Sequence, residues 1–466
     1  MSANYRPPAL NFLSWHWKVE REITIFKLIL SFISLYSIAI TPAFATDYNV
    51  IKPEKVGLSS ERLKNMDRLI DEHVSQKKIG GAVVLVARKG KIAYLRPSGL
   101  ADSGKAMQQD TIFRIVSMTK PITSTAIMML YEQGKLLLSD PVSKYIPEFR
   151  NQKVLVPQPE GSAFPYKLES VKREVQIRDL LAHTSGILYL FLNDVYPSPG
   201  RNMVVQMYKE AGITDGFCRP DEEIGDMVKR LARLPLYAQP GEVWDYGLNS
   251  DVLGYLVEVV SGQKFDAYVE QHIFKPLKMN DTHFYLPKEK LHRLAAVWKS
   301  DWKGGLVRAD DKPIVVGDLC LNPGDARASS GKYLSGGANV LSTAYDYFRF
   351  AQMYLNGGQL DGVRLLSRKT VELMTATSHS GRFDAKFLHS EGWKFGLGFA
   401  IQQDREHSVD SGDVGVFEWA GIYSTRFSVD PKEEKITIFL SQTNPFGHHF
   451  ELWDKVLVQS ASAIAD

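Results

Sequence analysis

A serine and a lysine lie three residues apart in the stretch FRIVSMTKPITSTAIMML, residues 113–130, just ahead of an apolar run. Ser117 could attack a carbonyl carbon if a base took its proton, and Lys120 would lie on the same helical face, one turn away. A second interpretation is that Ser117 caps the helix and Lys120 is exposed in its first turn. The stretch alone leaves both interpretations open.

The Ser-x-x-Lys spacing occurs five times in the chain, so its surroundings must identify a candidate nucleophile. Ser75 and Ser261 are predicted at helix C-termini, where the helix dipole opposes a developing negative charge. Ser300 and Ser329 are predicted in hydrophilic loops. Ser117 follows the strand-like TIFRIV and precedes a helix, whose unpaired N–H groups favour an oxyanion. The context therefore favours Ser117.

A lysine that acts as a base needs its pKa lowered. The reference pKa of about 10.4 leaves roughly one amine in a few thousand neutral at pH 7. Burial, a second cation or a phenol that shares the proton would help. The stretch QPGEVWDYGLNSDVLGYLVEVV places Tyr246 after the turn signal Pro240-Gly241 and just before a predicted helix. Tyr246 is a candidate partner, although taken alone it is better explained as a packed aromatic residue.

The secondary structure that must position these residues is predicted to be strands at both ends of the chain and helices in the middle. An amphipathic helix is predicted over residues 59–81, followed by a β-hairpin with a Lys-Gly turn. Strands are predicted over 393–401 and 424–443, and a helix closes the chain. Because strands and helices do not alternate, we expect an α/β (α+β) fold whose largely antiparallel sheet is flanked by the terminal helices. A sheet domain is predicted from residues 46–116 and 385–466, with a mostly helical domain inserted over 117–384.

The N-terminal segment has the features of a secretory signal peptide. A basic residue, Lys27, precedes a short apolar core, and the small-x-small site Ala43-Phe44-Ala45 follows. Cleavage after Ala45 would release the chain to the periplasm or the medium. If the segment is not cleaved, it would serve as a membrane anchor.

Composition and motifs exclude several function classes. A formal net charge of +3, without a Lys/Arg cluster, argues against nucleic-acid binding. Two cysteines, Cys218 and Cys320, are too few for a disulfide framework, and whether they pair is left open. No cluster has metal-ligand spacing, so we expect neither a metal nor another cofactor. His183 is expected to be structural, and the absence of G-x-S-x-G argues against an α/β-hydrolase.

Taken together, these motifs resemble the serine β-lactamase and penicillin-binding-protein superfamily, in particular its class C-like branch. That branch includes class C β-lactamases, D-alanyl-D-alanine carboxypeptidases and lactamase-like carboxylesterases. The resemblance extends from about residue 55 to the C-terminus. It rests on Ser117-Met118-Thr119-Lys120, PGEVWDYG, LLAHTSGI, SGGANVLSTAYDYFRFAQMYLNGG and WAGIYSTRFSVDP in that order. It implies the β-lactamase/transpeptidase-like fold.

The resemblance also implies a role for each site residue. Ser117 would attack the carbonyl carbon and form an acyl-enzyme, with Lys120 and Tyr246 acting together as the general base. The backbone N–H groups of Ser117 and Ile422 would form the oxyanion hole. Gly421, which lacks a side chain, would let its strand approach the substrate closely.

Two departures from the lactamase pattern concern substrate recognition. Where lactamases typically have Lys-Thr-Gly, this chain has Trp419-Ala420-Gly421. Where they have Tyr-x-Asn, this chain has Leu248, with Asn249 one place later. Both changes remove polar recognition, so we expect a preference for neutral, apolar acyl groups. A second possibility is that Trp419 points into the core and that Arg426 holds a substrate carboxylate.

The sequence therefore predicts an exported serine hydrolase, with a carboxylesterase as the first interpretation. A β-lactamase or D-alanyl-D-alanine carboxypeptidase is the second, and a non-catalytic envelope-binding protein is the third. The expected partner is a small-molecule ester or a lactam-like amide. We expect no nucleic-acid partner and no stable membrane span after signal cleavage.

Overall fold

The computed structural model describes residues 48–218, 221–301, 305–327, 331–376, 392–406, 412–444 and 449–466. Residues Tyr48–Asp466 form one compact unit. The predicted signal peptide and Ser329 lie outside the described residues. Within the described ranges, no helix combines the length and the apolar character that a membrane span requires.

Among the described residues the structure contains ten α-helices and nineteen strands, besides shorter 3₁₀ and π turns. The helices are α1 (Ser60–Ser75), α2 (Thr119–Glu132), α3 (Ile177–Leu181), α4 (Pro199–Glu210), α5 (Ile224–Leu231), α6 (Asn249–Ser261), α7 (Phe265–Val269), α8 (Ala344–Leu355), α9 (Arg368–Thr375) and α10 (His449–Ser462). The strands are β1 (Gly81–Arg88), β2 (Lys91–Asp102), β3 (Lys105–Ala106), β4 (Phe113–Arg114), β5 (Lys153–Pro157), β6 (Tyr166–Ser170), β7 (Trp298–Ser300), β8 (Leu306–Arg308), β9 (Ile314–Val316), β10 (Leu319–Leu321), β11 (Leu341–Ser342), β12 (Gln359–Leu360), β13 (Val363–Arg364), β14 (Trp393–Phe395), β15 (Ala400–Gln402), β16 (Phe417–Gly421), β17 (Thr425–Asp430), β18 (Lys435–Ser441) and β19 (Thr443–Asn444).

The central sheet has eight strands in the order β14-β15-β16-β17-β18-β1-β2-β3, and every neighbouring pair is antiparallel. β1 lies next to the C-terminal β18, with Val84 opposite Phe439, so the sheet joins the two ends of the chain. All eight residues of β1 are buried, as expected for a strand covered on both faces. The predicted antiparallel α/β fold is confirmed.

Helices α1 and α10 cover the outer face of this sheet. Met66 and Ile70 of α1 pack with Val84 of β1 and with Trp453 and Val456 of α10 in one apolar cluster. Helix α1 begins where the sequence predicts, because the Ser59 side chain accepts the N–H of Arg62 at 3.2 Å. Both terminal helices therefore hold the outer face, as the sequence predicts.

The helices that carry the candidate site lie on the inner face of the sheet. α2 packs against α6, and both contribute to the large core cluster. The middle of the chain also contains the hairpins β5–β6, β7–β8 and β9–β10, which the helical pattern does not predict. Ser300 ends strand β7, so its predicted place in a loop is wrong. The division into two domains stays a prediction, since residue 385 lies outside the described part of the chain.

A disulfide joins Cys218 to Cys320 across 102 residues, with their Cα atoms 5.7 Å apart. It links the segment before α5 to the small β9–β10 hairpin. The pairing that the sequence leaves open is therefore present in the structure.

Candidate active site

Ser117 lies in a 3₁₀ turn, Val116–Met118, between the short strand β4 and helix α2. The preceding Val116 has φ 43°, a left-handed conformation that a β-branched residue adopts only under strain of about 1–3 kcal/mol. Pairing of Phe113 with Ser342 of β11 anchors the segment on its N-terminal side. The Ser117 side chain is thus held where one element ends and the next begins, and only 6% of the residue is exposed.

Lys120, the second residue of α2, points at Ser117. Its Nζ lies 3.0 Å from Ser117 Oγ and donates to the carbonyl of Gly337 at 2.9 Å. Only 1% of Lys120 is exposed, so the interpretation of an exposed first-turn lysine is wrong. Gly337 leaves room for this contact, since a Cβ there would lie 3.3 Å from Nζ and 2.8 Å from Tyr189 Oη.

Burial dominates the electrostatics of Lys120. Burial lowers the pKa of the amine to about 7, and the carboxylates of Asp251 and Asp215 oppose part of that fall. Burial also raises the pKa of Asp251 to about 6, against a hydrogen bond with Ser335 and the charge of Lys120. Asp251 lies five residues after Tyr246 in helix α6 and was not predicted from the sequence. An acidic residue inside an apolar helix is the signal that could have identified it.

Tyr246 completes a group of three converging side chains. The centre of its ring lies 4.7 Å from Lys120 Nζ, and the residue is 4% exposed. Burial raises the pKa of the phenol, while its hydrogen bonds with Ser117 and Trp419 oppose the rise. The structure therefore brings together the hydroxyl of Ser117, the amine of Lys120 and the phenol of Tyr246.

The turn that presents Tyr246 is fixed by backbone contacts. Gly241 has φ 88° and donates its N–H to the carbonyl of Thr184 at 2.7 Å. Asp245 donates its N–H to the carbonyl of His183 at 2.8 Å. A Cβ on Gly247 would lie 2.0 Å from the carbonyl oxygen of Ile187, so glycine is required where the two segments meet.

His183 supports this turn and has no proton-transfer contact with Ser117 among its described hydrogen bonds. Its Nδ1 lies 2.9 Å from Nδ2 of Asn249, and its ring centre is 5.0 Å from that of Tyr246. Burial, together with the charge of Lys120, lowers the pKa of the imidazole well below its usual value, so the ring is neutral. Asn249 also accepts the Ser185 hydroxyl at 2.5 Å. Both ends of the Asn249 amide are therefore occupied inside the protein.

Strand β16 carries Trp419 and Gly421 to the site. Trp419 is 1% exposed, and its ring centre lies 5.4 Å from that of Tyr246 and 5.0 Å from that of Phe395. A Cβ on Gly421 would lie 2.4 Å from the carbonyl oxygen of Ile115. The glycine thus lets β16 approach the segment that carries the nucleophile, and Ile422 follows at the end of the strand.

Arg426 lies away from the site, on the outer side of the sheet. It forms an ion pair with Glu418 at 2.7 Å, and its guanidinium is 5.3 Å from the centre of the Trp453 ring in α10. Both members of the pair are at most 5% exposed. The possibility that Arg426 holds a substrate carboxylate is therefore wrong, and Trp419 packs at the site, against Tyr246.

Comparisons with known proteins agree with this architecture. A family model described as Beta-lactamase matches residues 66–461. The esterase EstB of Burkholderia gladioli is 31% identical over 376 residues, which cover 78% of this chain and 86% of that protein. A putative D-alanyl-D-alanine carboxypeptidase of Escherichia coli K12 is 27% identical over 442 residues, or 89% of this chain and 90% of that protein.

A solved structure is similar over nearly its whole length. It is EstCE1, described as a hydrolase with promiscuous acyltransferase activity, with a TM-score of 0.72 and 26% identity. The match covers 87% of this chain and 98% of that one. The family match, residues 66–461, includes Ser117, Lys120, Tyr246 and Trp419-Ala420-Gly421.

Proposed function

This chain belongs to the beta-lactamase family, and from that premise we propose that it is an exported serine carboxylesterase that works through an acyl-enzyme on Ser117. The observation that carries the proposal is the 3.0 Å contact between Ser117 Oγ and Lys120 Nζ inside a buried site. A buried amine beside a hydroxyl is suited to proton transfer, since burial has brought the lysine pKa to about 7.

The first half of the reaction is acylation. Ser117 Oγ attacks the ester carbonyl carbon while Lys120 Nζ accepts its proton, and the alcohol leaves after it receives a proton. The Tyr246 phenol, whose pKa is raised by burial, stays protonated at neutral pH and hydrogen-bonds with Ser117. Lys120 is therefore the proton acceptor in this proposal, and Tyr246 donates its proton to the leaving alcohol oxygen as it takes one from Lys120.

The second half is deacylation, in which water replaces the alcohol. Lys120 and Tyr246 together take a proton from that water as it attacks the acyl carbon. The bond between the acyl carbon and Ser117 Oγ then breaks, Oγ recovers the proton, and the carboxylic acid is released. In both halves the oxyanion would be bound by the N–H groups of Ser117 and Ile422. The close approach of Gly421 to Ile115 supports this pairing, because it brings the two N–H-bearing segments together. Loss of one such donor typically costs about 10²–10³ in kcat.

The polar groups around the site favour a neutral ester over a carboxylate-bearing lactam or peptide. Trp419 stands where a lactamase has a lysine, and the charge of Arg426 is paired with Glu418 on the other face of the sheet. The Asn249 amide is occupied by His183 and Ser185. None of these three residues offers a cation or an amide to a substrate carboxylate or acylamino group.

One set of assays distinguishes the carboxylesterase from the β-lactamase and the carboxypeptidase. We expect hydrolysis of p-nitrophenyl acetate and butyrate, little turnover of nitrocefin and little release of D-alanine from a D-alanyl-D-alanine peptide. Ser117→Ala should abolish hydrolysis, whereas Ser75→Ala, at another Ser-x-x-Lys, should leave it unchanged. Fast nitrocefin turnover or D-alanine release without esterase activity would refute the carboxylesterase proposal.

A non-catalytic binding protein is distinguished by covalent labelling. A fluorophosphonate should add to the peptide that contains Ser117, and the adduct should be absent in Ser117→Ala. An unlabelled Ser117 in a folded protein would favour the binding protein instead. Export to the periplasm or medium is part of the proposal and is supported by the disulfide, which is typical of proteins from oxidising compartments.

A further inference from the structure

A buried arginine in helix α4 contacts the segment that leads to Tyr246. Arg201 is 7% exposed and forms an ion pair with Asp245, which is also 7% exposed and directly precedes Tyr246. The Arg201 guanidinium lies 5.1 Å from the centre of the Tyr237 ring. Arg201 therefore binds both ends of the segment 237–245, which contains the turn before the phenol.

Helix α4 by itself disfavours a cation at this position. Ser198 caps the helix by accepting the N–H of Arg201 at 3.2 Å, so Arg201 lies in the first turn. There the positive end of the helix dipole opposes its charge. An arginine is rarely buried this far unless it is paired. The carboxylate of Asp245 is thus what holds the guanidinium in place.

Asp245 depends on the arginine in turn. Burial raises the pKa of its carboxyl group, and the charge and hydrogen bond of Arg201 oppose that rise. The backbone N–H of Asp245 donates to the carbonyl of His183 at 2.8 Å. Without the guanidinium, a buried carboxylate would be left unpaired, so the segment must move or the carboxyl group must bind a proton. The ion pair therefore couples α4 to the residue that precedes Tyr246.

The Tyr246 phenol has a narrow range of useful positions. In the proposed acylation it protonates the leaving alcohol oxygen, and such a transfer needs the two oxygens within about 2.6–3.2 Å of each other. The Trp244 ring lies nearly parallel to the Tyr246 ring, with their centres 6.2 Å apart. The segment that Arg201 binds thus also packs against the phenol ring itself.

We propose that Arg201 is a positioning residue: by binding Asp245 and Tyr237, it holds the Tyr246 phenol where it can protonate the leaving alcohol. The inference rests on the proposed function and adds a residue on which one of its proton transfers depends. In that step the bond between the carbonyl carbon and the alcohol oxygen breaks. The oxygen takes the phenol proton, and Lys120 returns a proton to Tyr246.

Two esters of one acid distinguish this role from a general effect on the fold. p-Nitrophenyl butyrate releases a weakly basic anion that leaves without a proton, whereas the phenolate from phenyl butyrate is more basic and gains more from proton donation. Both esters form the same butyryl-enzyme on Ser117. The measurement is the ratio of kcat/KM for phenyl butyrate to kcat/KM for p-nitrophenyl butyrate.

Variants around the arginine should change this ratio. Arg201→Met should lower it about tenfold, with kcat/KM for p-nitrophenyl butyrate within about threefold of the wild type. Tyr237→Leu, which keeps the ion pair, should lower it about threefold. Arg201→Lys keeps a charge beside Asp245 and should recover most of the ratio. Arg88→Met is the matched control, because Arg88 is 5% exposed and paired with Glu433, and it should keep the wild-type ratio.

A double variant checks that Arg201 acts through the phenol. Tyr246→Phe removes the proton donor and should lower the ratio at least as far as Arg201→Met does. Adding Arg201→Met to Tyr246→Phe should then change the ratio by less than about twofold, because residues that act as one unit are not additive. Two effects that multiply would contradict the inference.

The outcomes distinguish this inference from the proposed function, with circular dichroism to show that each variant is folded. Equal losses with both esters in folded Arg201→Met would overturn the inference and leave the acyl-enzyme on Ser117 in place. If Arg201→Met does not fold, Tyr237→Leu decides, and a wild-type ratio there overturns the inference. A folded wild-type protein that hydrolyses neither ester and takes no fluorophosphonate label would overturn the proposed function, and this inference with it.

Discussion

At the scale of single residues, a buried carboxylate, Asp251, shifts the pKa of the proposed base, Lys120. Asp251 is fully buried, accepts a hydrogen bond from Tyr333 at 3.2 Å and raises the pKa of Lys120 against the effect of burial. His183, Tyr246 and Tyr189 also face the amine, and Asp215 lies near it. Because only neutral Lys120 accepts a proton, kcat/KM should rise with pH through a pKa near 7.

Replacing Asp251 by Asn should shift that rise to lower pH. The change removes a negative charge that favours protonated Lys120, so the lysine pKa should fall, and we expect the acidic limb to move down by about one pH unit. The measurement is kcat/KM for p-nitrophenyl acetate from pH 5 to 9. Asp226→Asn, at an exposed position of α5, is the control and should leave the limb in place. An unmoved limb, or one moved to higher pH, would contradict the role given to Asp251.

At the scale of elements, the nucleophile depends on the closeness of β16 to the turn before α2. Gly421→Ala would place a Cβ 2.4 Å from the Ile115 carbonyl oxygen and 3.0 Å from Val116 Cγ2, so the strand must move. Since Ile422 would move with it, we expect kcat to fall about 10²–10³, as for the loss of an oxyanion donor. The measurement is steady-state hydrolysis by protein shown to be folded by circular dichroism.

A variant of a second glycine distinguishes the displacement of Ile422 from a general effect of backbone strain. Gly134, two residues after the end of α2, has φ 69°, and a Cβ there would meet no atom within 4 Å. Gly134→Ala should therefore lower the free energy of unfolding by about 1 kcal/mol and leave kcat unchanged. Equal losses of activity in the two variants would show that β16 has no special part in the reaction.

Elements set by local residue patterns were predictable from the sequence, and those set by distant contacts were not. The first hairpin was predictable from the Lys89-Gly90 turn in the sequence. In the structure these two residues have φ of 52° and 72°, the positive values that a tight hairpin turn requires. The strand predicted for TIFRIV is only Phe113–Arg114, because its partner β11 is two residues long. The positive φ of Val116, 43°, is not encoded by a local pattern, because a β-branched residue disfavours that conformation.

The same distinction applies to the site. Context favoured Ser117 and Lys120, and the family resemblance added Tyr246; the structure brings these three side chains together. The burial of Lys120 depends on Gly337, which lies 217 residues away in sequence, so an exposed lysine could not be excluded from the stretch alone. The outward direction of Arg426 follows from the register of β16 and β17, where Ala420 pairs with Arg426. Such long-range pairing is visible only in the fold.

At the scale of the whole molecule, one covalent bond restrains a long loop of chain. The Cys218–Cys320 bond closes 102 residues, for which a loss of about 2–5 kcal/mol in the free energy of unfolding is expected on removal. Guanidinium unfolding of the wild type and of Cys218→Ser/Cys320→Ser measures this difference. With a strong reductant present, the wild type should approach the variant. Equal stability without reductant would show that the bond does not restrain the unfolded chain.

The disulfide also links the fold to the compartment in which the protein is proposed to work. Disulfides persist in oxidising compartments, and the predicted signal peptide would take the chain to one. In a bacterial host that processes the segment, we expect the mature N-terminus at Thr46, directly after Ala45, with no free thiol. Intact-mass measurement of the periplasmic and cytosolic fractions, with and without thiol alkylation, tests both points. A chain with Leu28→Arg and Leu30→Arg in the apolar core should stay in the cytosol, uncleaved and alkylated at both cysteines. Export would be contradicted if the unaltered chain were found uncleaved in the cytosolic fraction with both thiols free. The disulfide would then form only after the protein is isolated.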